Sequence, residues 1–156
     1  MRRLLEREQF LPIPVEEAWR FFSDPRNLAT ITPPDLGFVI HGDIGERTFA
    51  GQRITYTVRP LLGIPVSWIT LIEDVDAPHR FVDTQLKGPY KYWHHLHTFE
   101  AVAGGTLMRD RVEYELPLGP LGDIMHGLVV KSRLQKIFDH RRLVLEKMFA
   151  VAEVKG

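Results

Sequence analysis

Residues 123–150 form the one stretch of this chain long and periodic enough for the other elements to wrap around. Ile124, Leu128, Leu134, Phe138, Leu145 and Met148 recur at helical spacings, and Lys131, Arg133, Lys136, Asp139, Arg142 and Glu146 fall mostly between them. An amphipathic helix from Asp123 to about Ala150 is expected, roughly 40 Å long at 1.5 Å per residue. Strands of about twelve residues match that length, and the candidates upstream approach it. A long helix lying across a curved antiparallel sheet leaves space between the two, so the pattern predicts a container.

Upstream the period changes twice. Leu4 to Ile13 alternates weakly and reads as a first strand, ended by Pro12 and Pro14. Val15, Ala18, Trp19 and Phe22 then follow helical spacing, with Glu16 and Glu17 in the first turn, where the helix dipole favours anions. Asp24-Pro25 signals the capped start of a second short helix carrying Leu28. Beyond Pro34 the period becomes two. Strands are expected over Leu36–His41, around Ile54, Tyr56 and Val58, over Val66–Ile72 with Trp68 and Thr70, and over Arg80–Lys87. Residues 42–51 make a loop, and Pro60 to Pro65, with Leu61, Leu62 and Ile64, makes a turn. These two connections are the expected lips of an opening.

Lys91–Val102 and Thr106–Leu116 read as a hairpin about Gly104-Gly105. On the second strand Arg109, Arg111, Glu113 and Glu115 face water, so Met108, Asp110, Val112 and Tyr114 face inward. With both glycines in the turn, Ala103 pairs with Thr106, Phe99 with Asp110, His97 with Val112 and His95 with Tyr114. The inner face then collects Trp93, His95, His97, Phe99, Asp110 and Tyr114; a one-residue change of register would bring in His94 instead. The neighbouring strand adds Asp83 and Gln85, or alternatively Val82, Thr84 and Leu86.

Titratable groups inside a sheet are costly unless paired. They either pair with one another and fix the register, or line a pocket and orient a ligand. His95 and His97, with Asp110 as a third donor, could reach a metal, but two histidines on one strand are more often pocket wall, and no metal and no cofactor is expected. Without cysteine there is no disulfide, thiolate site or thiol nucleophile, and Ser23, Ser67 and Ser132 lack a nucleophile's context. Arg141, seven residues after Leu134, falls near the apolar seam and within reach of a carboxylate.

Twenty basic and twenty acidic side chains cancel, which argues against nucleic acid as a partner. Leu4 and Leu5 run straight into Glu6, Arg7 and Glu8, leaving no signal-peptide core, and no run approaches a membrane span. A single cytoplasmic domain over residues 1–156 is expected, of undetermined oligomeric state.

Several motifs together resemble the SRPBCC superfamily, the START and Bet v 1-like domains. They are Pro14-Val15-Glu16-Glu17 with Trp19, Asn27-Leu28 before Thr32-Pro33-Pro34, Gly63-Ile64-Pro65-Val66 with Trp68, and Arg80-Phe81-Val82-Asp83. Gly88-Pro89-Tyr90 with Trp93 and His95, Gly104-Gly105-Thr106, Asp110-Arg111-Val112-Glu113-Tyr114 and Gly119-Pro120-Leu121-Gly122 complete the set, nearly end to end. The resemblance implies an α+β helix-grip fold: a seven-stranded curved antiparallel sheet around a long C-terminal helix, with two short helices after strand one and a hydrophobic cavity. It implies binding of a lipid, quinone, polyketide or similar molecule for transport, sequestration or sensing, or alternatively a polyketide cyclase or dehydratase. Relatives of this kind occur fused to epimerase-like domains, but this chain has no Gly-rich dinucleotide fingerprint, so a nicotinamide cofactor is not expected. The wall is expected to comprise Tyr56, Trp68, Phe81, Trp93, Phe99, Leu134 and Phe138, with polar contacts from Asp83, Gln85, His95, His97, Asp110, Tyr114 and Arg141. In the enzyme reading His95, His97, Asp110 and Tyr114 move protons.

Overall fold

The computed structural model describes residues 1–45, 47–60 and 62–150, so Leu61 of the Pro60–Pro65 turn lies outside the described residues. Strand β1 (Arg3–Leu11) leads into α1 (Val15–Phe22). Two 3-10 turns, Pro25–Leu28 and Pro34–Leu36, precede β2 (Val39–His41), β3 (Arg53–Val58), β4 (Val66–Asp76), β5 (Arg80–Lys87), β6 (Tyr92–Val102) and β7 (Gly105–Glu115). The chain closes with α2 (Gly119–Met125), a π-helical segment (His126–Val130) and α3 (Lys131–Met148). All seven strands form one antiparallel sheet in the order β1-β7-β6-β5-β4-β3-β2. This is the α+β helix-grip architecture that the sequence predicts.

Local chemistry accounts for most boundaries. Leu11 rather than Ile13 ends β1, because Pro12 has no N–H for the ladder. The Asp24 carboxylate accepts the Arg26 backbone N–H at 3.0 Å, capping the short turn that Pro25 opens. The strand expected from Leu36 begins only at Val39: Leu36 closes a 3-10 turn, and Gly37 takes a left-handed φ of 60° before pairing starts. In β4 the register slips between Ile69 and Thr70 and between Glu73 and Asp76, irregularities that bend a sheet.

The β6–β7 hairpin corrects a second expectation. Val102 pairs with Gly105, so Ala103 and Gly104 make the turn, with Gly104 at a φ of 81°. Every pair moves by two residues: His97 faces Asp110, His95 faces Val112 and Trp93 faces Tyr114. Side chains alternate with period two, so a two-residue slip keeps the same inner face. Gly105 is required inside the strand rather than the turn, because a Cβ there would collide with the Leu11 carbonyl oxygen.

The long helix is continuous but changes pitch. Its buried ladder is Gly122, His126, Leu134, Phe138, Arg141 and Leu145, whereas Ile124 and Leu128, expected inside, are 59% and 72% exposed. Met148 is also exposed. From Gly122 to Phe138 the buried positions fall at multiples of four, a spacing that drifts around an ideal α-helix, and the wider π turn absorbs that drift. Gly122 must be small, because a Cβ would meet the Pro117 carbonyl oxygen where β7 turns into the helix.

Apolar packing falls into two clusters. One gathers Leu11, Ala18, Phe22, Phe81, Phe99 and Leu145 under α1; the other gathers Val112, Tyr114, Leu134 and Phe138. A cavity opens between the sheet and the last helix.

Candidate ligand cavity

The cavity encloses about 410 Å3, within the roughly 300–1,000 Å3 usual for small-molecule sites. Alternation on β3 to β6 turns Tyr56, Trp68, Phe81, Asp83, Trp93, His95 and His97 toward it, and α3 adds Leu134, Phe138 and Arg141. Four of the residues expected there lie elsewhere. Phe99 is sealed in the cluster under α1, edge-on to Trp19 at 5.9 Å. The Tyr114 hydroxyl shares a hydrogen bond with His126 Nε2 at 2.6 Å and ties β7 to the π-helical segment. Gln85 donates from Nε2 to the Tyr90 carbonyl at 2.6 Å and accepts the Tyr90 N–H at 3.1 Å, fixing the loop from which Tyr90 reaches the wall. Asp110 lies behind the two histidines, off the cavity wall.

One end of the wall is aromatic. Trp68 stacks on Tyr56 at 5.8 Å and meets the Trp93 ring edge-on at 5.3 Å, while Tyr90 closes on Trp93 at 4.9 Å. Trp68 Nε1 donates to Thr70 Oγ1 at 3.1 Å, and the Tyr56 hydroxyl lies 3.4 Å from the same oxygen. With these polar atoms satisfied inside the protein, the rings offer chiefly their apolar faces to a ligand. Burial pushes the Tyr56 and Tyr90 hydroxyls above their ordinary range, so both stay neutral.

The polar end is a cross-strand lattice. Asp83 on β5 stands opposite His95 on β6, and His97 stands opposite Asp110 on β7, yet both hydrogen bonds run diagonally. His97 Nε2 bonds Asp83 Oδ2 at 2.6 Å, and His95 Nε2 bonds Asp110 Oδ1 at 2.8 Å. A carboxylate only accepts, so both Nε2 atoms carry protons. Trp93 Nε1 donates to Asp83 Oδ1 at 3.3 Å. The imidazoles stack at 3.7 Å, and Phe81 covers the far face of His97 at 4.1 Å. Arg141 from α3 reaches Asp110 Oδ1 at 3.7 Å, beyond hydrogen-bond range, and its buried Nε has no partner among the described residues.

Burial sets the protonation states. It pushes the His97 imidazole down to about 4, helped by the adjacent His95 and opposed by Asp83 and Asp110, so His97 is neutral near pH 7. Burial also pushes both carboxyls up, but neighbours outweigh it. His95, His97 and the Trp93 N–H hold Asp83 below the ordinary value, and Arg141 with the two histidines holds Asp110 well below it.

Sequence reasoning missed a whole side of the wall. Phe22, Leu28 and Ile31 reach it from α1 and the following turn, Phe38 from the residue before β2, and Met125 and Val130 from the last helix. Phe22 shares a helical face with Val15 and Ala18, and Val130 falls four residues before Leu134, signals present in the sequence; no such spacing marks Leu28, Ile31 or Phe38. Thr48 and Pro60 extend the wall from the two connections beside β3, and Arg133 of α3 donates to the Pro60 carbonyl oxygen.

No protein-family model and no curated protein matches this chain. Solved structures do. A Thermus thermophilus protein, TTHA0849, is 20% identical with a TM-score of 0.72, covering 93% of this chain and 95% of that one. Ara h 8.0201, a Bet v 1-like protein, is 20% identical with a TM-score of 0.63, covering 94% and 99%. A nucleoside-diphosphate sugar epimerase from Corynebacterium glutamicum is 26% identical with a TM-score of 0.66; the match takes in 92% of this chain but 28% of that longer protein. The chain has the Bet v 1-like helix-grip fold, with its cavity between the sheet and the last helix.

Proposed function

We propose that this protein binds a hydrophobic or amphipathic small molecule, such as a lipid, quinone or polyketide, for transport, sequestration or sensing in the cytoplasm. The observation that carries this reading is the cavity itself: about 410 Å3, walled mostly by aromatic and aliphatic side chains, with Asp83, His95, His97 and Arg141 as the ionisable cluster among the polar residues of its lining. That division suits a molecule with a broad apolar body and one polar end. Equal numbers of acidic and basic side chains favour a small-molecule partner over nucleic acid. Among the described residues no helix is long and apolar enough to cross a membrane. The test is native mass spectrometry of gently purified protein, followed by denaturing release and identification of the bound mass. A stoichiometric apolar molecule supports the reading. An empty protein that also fails to bind 1-anilinonaphthalene-8-sulfonate, with no change on Trp68→Ala, would falsify it.

A second reading rests on the His95–Asp110 pair. His95 lines the cavity, its Nε2 is held by Asp110 Oδ1 at 2.8 Å and its Nδ1 makes no hydrogen bond among the described residues, which are the parts of a general base, as ring closure or dehydration of a polyketone requires. Any proton transfer then runs through His97 and His95; Tyr114 is held by His126, and Asp110 acts through the histidines. In that case His95→Gln removes turnover while leaving substrate affinity within a few-fold. Retained turnover in this variant would exclude the acid–base role.

A further inference from the structure

The Asp83, His95 and His97 side chains converge in a way that hydrogen bonding alone leaves incomplete. His95 Nδ1 makes no hydrogen bond among the described residues; it faces Asp83 Oδ2 at 3.6 Å, too far to bond. His97 Nε2 reaches the same oxygen at 2.6 Å, and one donor atom from each of the three residues fits within 4.8 Å of the others. Two nitrogens and an oxygen bound at about 2.0–2.2 Å to one ion stand roughly 3–3.5 Å apart, and the two distances to Asp83 bracket that spacing. Behind them Asp110 Oδ1 lies 2.8 Å from His95 Nε2 and 3.4 Å from His97 Nδ1, so a single carboxylate backs both imidazoles. Metal-binding histidines commonly have a carboxylate in this position, and it fixes their tautomer and raises their basicity. Trp93 anchors the other oxygen of Asp83, and Arg141 offsets the charge of Asp110.

We propose that Asp83, His95 and His97 form a binding site for one divalent first-row transition-metal ion on the cavity wall, with Asp110 as the shared carboxylate behind the two histidines. Asp83, and not the Asp110 that sequence spacing pointed to, is the third protein donor. His95 keeps its proton on Nε2, donated to Asp110, and offers Nδ1. In His97 the proton moves from Nε2 to Nδ1, where Asp110 accepts it, and Nε2 becomes a donor to the ion. Two imidazoles and one carboxylate suit zinc or iron(II) and leave coordination positions open. Those positions face the cavity, where water or an anionic group of a ligand completes the shell. The competing state is the hydrogen-bonded lattice of the two histidines and two carboxylates, with no ion.

This inference does not depend on the ligand-binding reading, and its test is independent of any organic ligand. The full chain is stripped with a chelator and titrated with Zn2+ by calorimetry, with Co2+ absorption as a second readout. One ion per chain at micromolar affinity or tighter is expected. Asp83→Asn and His97→Gln should each weaken it at least tenfold, and Asp110→Asn by about 10- to 100-fold with unchanged stoichiometry. The exposed-site variants His41→Gln and His79→Gln should leave it unchanged. Nitrogen-15 spectra of the wild-type imidazoles remove any dependence on how the variants fold: Zn2+ should shift His95 Nδ1 and His97 Nε2. Absence of stoichiometric binding, ring signals that do not move at saturating Zn2+, or binding that Asp83→Asn leaves unweakened would each overturn the site. None of these results bears on whether an apolar molecule is released on denaturation.

Discussion

Gly105 and His126 carry constraints of different kinds. At Gly105 the constraint is steric: the Leu11 carbonyl occupies the space of a Cβ, and that carbonyl belongs to the neighbouring strand rather than to a movable side chain. Gly105→Ala is expected to cost about 2 kcal/mol or more, because overpacking against backbone relaxes poorly. Urea unfolding that shows less than half of this loss would count against the close approach. His126 is constrained electrostatically. Burial lowers its pKa, Arg3 and Lys131 lower it further and Asp123 opposes them, while the Tyr114 hydroxyl hydrogen-bonds its ring. The unfolded chain therefore takes up the proton first, at about 6.5. The contribution of a neutral His126 is complete above that pH and is lost as pH falls below it toward the lower folded value. The wild-type thermal midpoint should drop below pH 6.5 more steeply than that of His126→Gln, and parallel curves would remove His126 as a cause.

Among the elements, the hairpin and the last helix differ in how far sequence periodicity determines them. The β6–β7 turn expected at Gly104-Gly105 lies one residue earlier and every pair moves by two, yet Trp93, His95, His97, Asp110 and Tyr114 still share the inner face. A period of two forgives a two-residue slip, so the face is legible while the partners are not. The helix is less forgiving. Ile124 and Leu128 are expected inward because they are apolar, whereas His126 and Gly122 occupy the buried positions. Their burial depends on a hydrogen bond to Tyr114 and on a close approach to Pro117, both supplied by β7 and its exit. Leu128→Lys should therefore change stability by no more than about 0.5 kcal/mol, as at an exposed site, whereas Leu145→Ala, fully enclosed, should cost about 2–5 kcal/mol. Equal losses in the two variants would show the helix phase to be wrong.

Across the whole molecule, the two apolar clusters hold the shell and the cavity takes space between them that side chains would otherwise fill. A ligand bound there adds stability as RT ln(1 + [L]/Kd), about 2.7 kcal/mol at a hundredfold excess over Kd. Any molecule identified by native mass spectrometry should thus raise the thermal midpoint with the logarithm of its concentration, and a midpoint indifferent to it would make that molecule a passenger. The order of elements, the inward faces of β3, β6 and β7 and the placing of Arg141 near the apolar seam came from the sequence, because period and charge alternation are local properties of the chain, whereas on β5 alternation left both faces open. Which carboxylate serves which histidine, the removal of Gln85, Phe99 and Tyr114 from the wall, and the contributions of Phe22, Phe38 and Met125 to it were decided only by tertiary structure. Those contacts join residues remote in the chain, and their geometry is set by strand register, sheet bending and helix pitch, which alternation alone does not encode.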